Sequence, residues 1–120
     1  MDTKTTIIEL KQLVQTFCEE RDWDQFHDAK ELAIGISTEA GELLEHFRFK
    51  SRDQINELFK DEKKRLEISE ELSDVLYFVL RFAQMYNIDL TSNLHLKNEK
   101  NARKYPISKV KGCNKKYTEY

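Results

Sequence analysis

Leu32-Ala33-Ile34-Gly35-Ile36-Ser37-Thr38-Glu39-Ala40-Gly41-Glu42-Leu43-Leu44 is an apolar stretch that carries two acids and no basic residue. Leu32, Ile36, Leu43 and Phe47 recur at close to helical spacing, which predicts a helix over about Ala29 to Phe49 with Asp28 as its N-cap. Glu39 and Glu42 then share one face, with Cβ atoms roughly 5–6 Å apart. Two carboxylates at that separation repel each other. In an apolar segment without a base their charge is partly buried, and buried charge needs a partner or a metal. Gly35 and Gly41 each weaken a helix interior by roughly 1 kcal/mol relative to Ala. Glycines kept at such positions point to close approach of another helix or a ligand.

Downstream, a longer helix is predicted from about Asp61 to Tyr86. Its apolar stripe is Ile68, Leu72, Val75, Leu76, Val79, Leu80 and Ala83. It repeats the acidic spacing with Glu71 and Asp74, and Val75-Leu76-Tyr77-Phe78 follows directly. Antiparallel packing of the two helices would turn four carboxylates toward one another. A hard cation such as Mg²⁺ favours carboxylate and water oxygens and would relieve the repulsion. Glu62, Glu67 and Glu70 lie beside Lys63, Lys64 and Arg65 and read as a solvated face. For the two pairs, spacing alone leaves both a metal site and a solvated acidic face open.

The other elements are also helical. Ile8, Leu10, Leu13, Val14 and Phe17 predict a helix over about Thr5 to Glu20. The loop Arg21-Asp22-Trp23-Asp24-Gln25-Phe26-His27-Asp28 interrupts the pattern. Trp23 and Phe26 there are either a plug joining helices or a surface for a ligand. Ser51 or Asp53 can cap a short helix through Phe59, and Asp89 to Lys104 reads as another helix, stopped by Tyr105-Pro106. No strand alternation longer than four residues occurs. The expected class is all-α, a four-helix-bundle-like fold without a sheet. More apolar side chains are on offer than helices of this size can cover, so association of copies is expected.

Composition narrows the functional classes. In 120 residues, 35% are charged, 39% are hydrophobic, and seven Phe, five Tyr and one Trp exclude a disordered chain. A net charge of −2 gives no overall bias toward nucleic acid or an acidic membrane. The basic residues cluster late, at Lys97, Lys100, Arg103, Lys104, Lys109, Lys111, Lys115 and Lys116, against Glu99. Residues 107–120 are expected to be a basic, flexible tail behind a domain of residues 1–106. Cys18 and Cys113 fit no metal spacing, which suits a reducing, cytoplasmic setting. The start MDTKTTIIEL does not read as a signal peptide, and no segment is long and apolar enough to span a membrane.

Thr38-Glu39-Ala40-Gly41-Glu42 followed by Glu71-Leu72-Ser73-Asp74 resembles the split ExxE and ExxD signature of the all-α nucleoside triphosphate pyrophosphohydrolases. This is the MazG-like group. The nearest likeness is to its small dCTP pyrophosphatase branch. It runs through Arg21 to His27, Glu42 to Glu45, Glu70 to Leu76 and Asn101 to Pro106, covering about residues 7 to 106. The resemblance implies a four-helix fold assembled as a dimer or as a tetramer of two dimers. It implies Mg²⁺-dependent hydrolysis of a (d)NTP, dCTP foremost, to the monophosphate and pyrophosphate, with Mn²⁺ as a substitute ion. It implies Glu39, Glu42, Glu71 and Asp74 as metal ligands and catalytic groups. Lys97 and Asn101 match phosphate-contacting positions, with Arg103 and Lys104 as helpers. Trp23, His27, Phe49 and Phe78 match positions around base and sugar.

The chain departs from the pattern in places. Thr38 replaces the first of two adjacent Glu, as it does in the dCTP branch. Phe49 and Phe78 stand where that branch often has Trp and Tyr, so base preference does not carry over. A dUTPase-like or modified-nucleotide pyrophosphatase fits the same residues. From another class, a non-catalytic helical module that binds metal or partner helices is the remaining alternative.

Overall fold

Thr6 opens α1 (Ile7–Glu19) with a capping box: its hydroxyl accepts from the Glu9 N–H, and the Glu9 carboxylate accepts from the Thr6 N–H. Side-chain N-caps recur along the chain in this computed structural model, which describes all 120 residues. Asp28 caps α2 (Ala29–Glu45), Ser51 caps α3 (Arg52–Leu58), Asp61 caps α4 (Glu62–Met85) and Asp89 caps α5 (Leu90–Lys104), each accepting from the N–H three residues on. A short α6 (Ile107–Val110) follows Pro106. No strand is present.

The chain divides into two units, Met1–Ile88 and Asp89–Tyr120. In the first, α4 is the axis. Three contacts set the direction of α2 against it: the Ala29 N–H donates to the Tyr86 hydroxyl, Gly35 meets the Phe78 ring, and His46 approaches Glu71. Residue numbers rise on one helix as they fall on the other, so the pair is antiparallel. α1 lies against α4 in the same sense, through Lys11 to the Ile88 carbonyl and Cys18 to the Tyr77 hydroxyl. The buried apolar residues come from these three helices: Val14 and Cys18 from α1, Leu32 from α2, and Ile68, Leu80 and Ala83 from α4. Burying a side chain such as Leu32 contributes about 1.5–3 kcal/mol.

Gly35 explains the closeness of α2 and α4. A Cβ added there would lie 2.5 Å from two carbons of the Phe78 ring. Only a residue without a side chain lets that ring lie on the α2 backbone. Gly41 meets nothing within 4 Å, so the expected close approach holds at Gly35 and not at Gly41.

α2 ends at Glu45, four residues before the expected Phe49. The N–H groups of His46 and Phe47 turn back to the carbonyls three residues earlier, and Phe49 takes a left-handed φ of 65°. The turn lets Phe47 stack on Phe59 just past α3, at 6.1 Å between centroids. No Gly or Pro marks the break, so a tertiary contact decides it.

In the second unit, the segment after Pro106 holds α6 and a later turn. Beyond α6, Tyr117–Glu119 forms a 3-10 turn, and the Tyr105 ring meets Tyr117 at 5.9 Å and Tyr120 at 6.5 Å. The Tyr120 hydroxyl donates to the Lys104 carbonyl.

Candidate functional site

The antiparallel α2–α4 pair turns the acids toward one another. Carboxylate oxygens of Glu39, Glu42 and Glu71 all lie within 4.8 Å of one another. Glu39 and Glu71 are half-buried, and Glu39 Oε2 and Glu71 Oε2 are buried without any hydrogen-bond partner. The nearest base is His46, whose Nε2 is 4.0 Å from Glu71 Oε1. Orphaned buried carboxylate oxygens are costly. The arrangement has the oxygen-only chemistry that a hard divalent cation takes.

The electrostatics agree. Hydrogen bonding with Glu42, then burial, then the negative charges of Glu42, Asp74 and Glu71 push Glu39 up to about 7. Glu71 is also raised, by burial first and then by Glu42 and Asp74, with His46 opposing. Both carboxyls hold protons more tightly than ordinary acids because burial and neighbouring carboxylates disfavour their charged forms. Asp74 lies outside the tight trio but acts electrostatically on two of its members.

Asp74 also borders a cavity of about 510 Å³ lined by Leu13, Val14, Phe17, Trp23, Tyr77 and Phe78. The acids therefore sit next to a largely aromatic recess, the combination of apolar walls and few polar groups that marks small-molecule sites. Phe17 meets Trp23 edge-on at 5.6 Å and Tyr77 at 6.1 Å, while Tyr77 meets Phe78 at 5.3 Å. Burial, and then its contact with the buried Cys18 thiol 2.8 Å away, raise the Tyr77 hydroxyl, which stays protonated.

The other expected residues fall in different places. Trp23 and Phe78 line the cavity, and His27 stands behind Trp23 with ring centroids 6.4 Å apart. Phe49 does not line it; its ring is 90% exposed and carries the Arg48 guanidinium at 4.6 Å. Lys97 and Asn101 are one turn apart on α5 in the second unit, Lys97 exposed and Asn101 half-buried. Leu13, Phe17 and Tyr77 were not anticipated. Leu13 and Phe17 sit in the stripe that predicts α1, and their four-residue spacing is the signal that could have placed them on one wall.

Residues 34–120 match the MazG-like family. The chain belongs to that family. Among curated relatives, dCTP pyrophosphatase 1 of Bos taurus is 32% identical over 98% of this chain and 69% of its own length. Its counterpart from Homo sapiens is 33% identical over 95% of this chain and 67% of its own length. A crystal structure of a pyrophosphatase from Archaeoglobus fulgidus superposes with a TM-score of 0.76 at 36% identity, covering 82% of this chain and 90% of that one. The all-α MazG-like fold read from the sequence is the fold found.

Proposed function

We propose that this MazG-like chain is a Mg²⁺-dependent nucleoside triphosphate pyrophosphohydrolase that cleaves a (d)NTP, dCTP foremost, to the monophosphate and pyrophosphate. The observation that carries the reading is the trio Glu39, Glu42 and Glu71, two of its oxygens buried and unpartnered, beside an aromatic cavity that Asp74 borders. The dCTP pyrophosphatase relatives support the substrate class.

Each residue has a defined task. Glu39, Glu42, Glu71 and Asp74 hold the ion. When bound, a divalent cation neutralises phosphate oxygens and polarises the phosphoryl group toward water. Trp23, Phe78, Phe17 and Tyr77 give the base an apolar slot, and His27 supports its Trp23 wall. Stacking on such rings contributes about 1–3 kcal/mol per base and tolerates different bases. Lys97 and Asn101 are assigned to the phosphates, with Arg103 and Lys104 nearby on the same helix. Mn²⁺, with similar oxygen preference, would substitute for Mg²⁺. We assign residues 1–106 to the hydrolase domain. Free Cys18 and Cys113 accord with a reducing cytoplasm.

The same reading includes a homo-oligomer. Ile34, Leu44, Leu72 and Leu76 on α2 and α4 are 51%, 60%, 57% and 45% exposed, an apolar surface of the kind that a second copy covers. A panel of dNTPs and NTPs, incubated with Mg²⁺ and scored for monophosphate and pyrophosphate, tests the activity. Pyrophosphate release from dCTP that stops with a chelator is expected. Glu42→Gln is expected to fold normally and lose at least about a hundredfold in turnover, as for removal of a charge-stabilising group. Retained turnover in that folded variant removes Glu42 from the site.

A further inference from the structure

Arg81 is 1% exposed, a guanidinium buried in the protein. A buried guanidinium persists only where its donors are met. Here three of its nitrogens are engaged: Nε donates to His27 Nδ1 at 2.9 Å, Nη1 donates to Gln84 Oε1 at 2.6 Å, and Nη2 donates to Asp24 Oδ1 in an ion pair. Gln84 is on its own helix. Asp24 and His27 are not: they bracket the 3-10 turn Asp24–Phe26, one at its first residue and the other at its C-cap. One side chain from α4 thus grips both ends of a turn lying more than fifty residues earlier in sequence.

Trp23 is the residue immediately before that turn. Its backbone N–H is tied to the Cys18 carbonyl at the end of α1 at 3.0 Å, after a left-handed Asp22 with φ 53°. Its ring rests edge-on against Phe17 and His27 and forms part of the cavity wall, with 39% of the residue exposed. The main chain holds Trp23 on one side, and the Arg81 grip on Asp24 and His27 holds it on the other. We propose that Arg81 is a positioning residue that fixes the Trp23 wall of the nucleotide cavity by clamping the turn at Asp24 and His27. It stands about two turns beyond Asp74 on α4 and bonds to none of the four carboxylates, so it governs how the base is held and not how the ion is held. This assignment rests on the nucleotide reading of the cavity.

Trp23 is the single Trp of the chain, so its fluorescence reports this wall alone. Arg81→Gln and Asp24→Ala each remove part of the clamp, whereas Asp24→Asn keeps an acceptor for Nη2. Steady-state kinetics with dCTP and Mg²⁺, acrylamide quenching of Trp23 and a melting curve with and without Mn²⁺ are measured on all of them. Arg81→Gln and Asp24→Ala are expected to raise KM by about tenfold, within what stacking of one base contributes. Their kcat stays within about twofold of the parent, Trp23 becomes more accessible to acrylamide, and the Mn²⁺ shift in melting persists. Asp24→Asn stays close to the parent in both KM and quenching.

The proposal is overturned if Arg81→Gln folds with parental KM and quenching, or if its loss is in kcat with KM unchanged. Should Arg81→Gln fail to fold, Asp24→Ala decides, because Asp24 is itself half exposed and Arg81 keeps its bonds to His27 and Gln84; parental KM and quenching there overturn the clamp. Acrylamide quenching needs no substrate. A parent protein that releases pyrophosphate from no nucleotide therefore sinks the functional reading, while altered quenching in the variants still separates the clamp from it.

Discussion

Glu39 is a carboxyl whose proton is shared out by its neighbours, and this gives the metal-free protein a defined pH dependence. Its ordinary value is 4.5, and the folded site raises it to about 7. Below the lower value both folded and unfolded chains are protonated. Between the two, the unfolded chain has released a proton that the folded site still holds, so each rise in pH favours unfolding. The stability fully present below the lower value is lost as pH rises through about 7. The melting temperature of the metal-free protein is therefore expected to fall across this window, with Glu71 adding in the same direction. Mg²⁺ or Mn²⁺ should raise it more above the window than below, since the ion competes with the same protons. A melting series with and without ion, in which Glu39→Gln weakens both trends, is the check.

Gly35 is the second residue at which chemistry and packing meet. Gly35→Ala would drive a methyl into the Phe78 ring, including its Cγ at 2.8 Å, so the ring cannot simply swing its tip away. A cost of about 1–3 kcal/mol is expected, the usual range for overpacking a core. Urea unfolding measures it. Because Phe78 lines the cavity, the same variant should also raise KM for dCTP while leaving its response to Mg²⁺ unchanged.

At the scale of elements, side-chain caps write the helix starts into the sequence. Asp61 accepts from the Lys64 N–H at the head of α4, the helix on which both α1 and α2 rest. Asp61→Ala should lower stability by about 1 kcal/mol. That loss should appear in the midpoint of denaturant unfolding without changing its slope. The loss of turnover at saturating substrate should be slight, since Glu71, the trio's member on this helix, lies further along it and Glu39 and Glu42 stand on α2. The C-terminal ends are less legible. α4 stops where expected, with Asn87 at a left-handed φ of 53°. α2 stops early because Phe47 finds Phe59, a contact that no local signal announces.

On the scale of the whole molecule, exposed Leu72 and Leu76 stand one turn apart on α4, with Ile34 and Leu44 on α2. If a second copy covers them, Leu76→Lys should shift the sedimentation coefficient toward the monomer and lower the melting temperature in a concentration-dependent way. An unchanged sedimentation profile would remove this face from the interface.

The acidic pairs and their helices could be read from the chain alone, because i and i+3 spacing on an apolar helix is a local property. The family was legible for a related reason: its signature is made of short motifs in a set order. The meeting of Glu39, Glu42 and Glu71 needed the antiparallel contact of α2 with α4, and with it the closeness that Gly35 permits. Arg81 is a local signal of the same kind, a lone base within the apolar run Val75 to Ala83, the mirror image of the acids on α2. Its partners Asp24 and His27 are more than fifty residues away, so no periodicity could name them. Local propensity and spacing determined which residues form helices and which faces they offer. Tertiary packing decided which faces meet, because burial of charge and van der Waals contact depend on groups that the sequence keeps far apart.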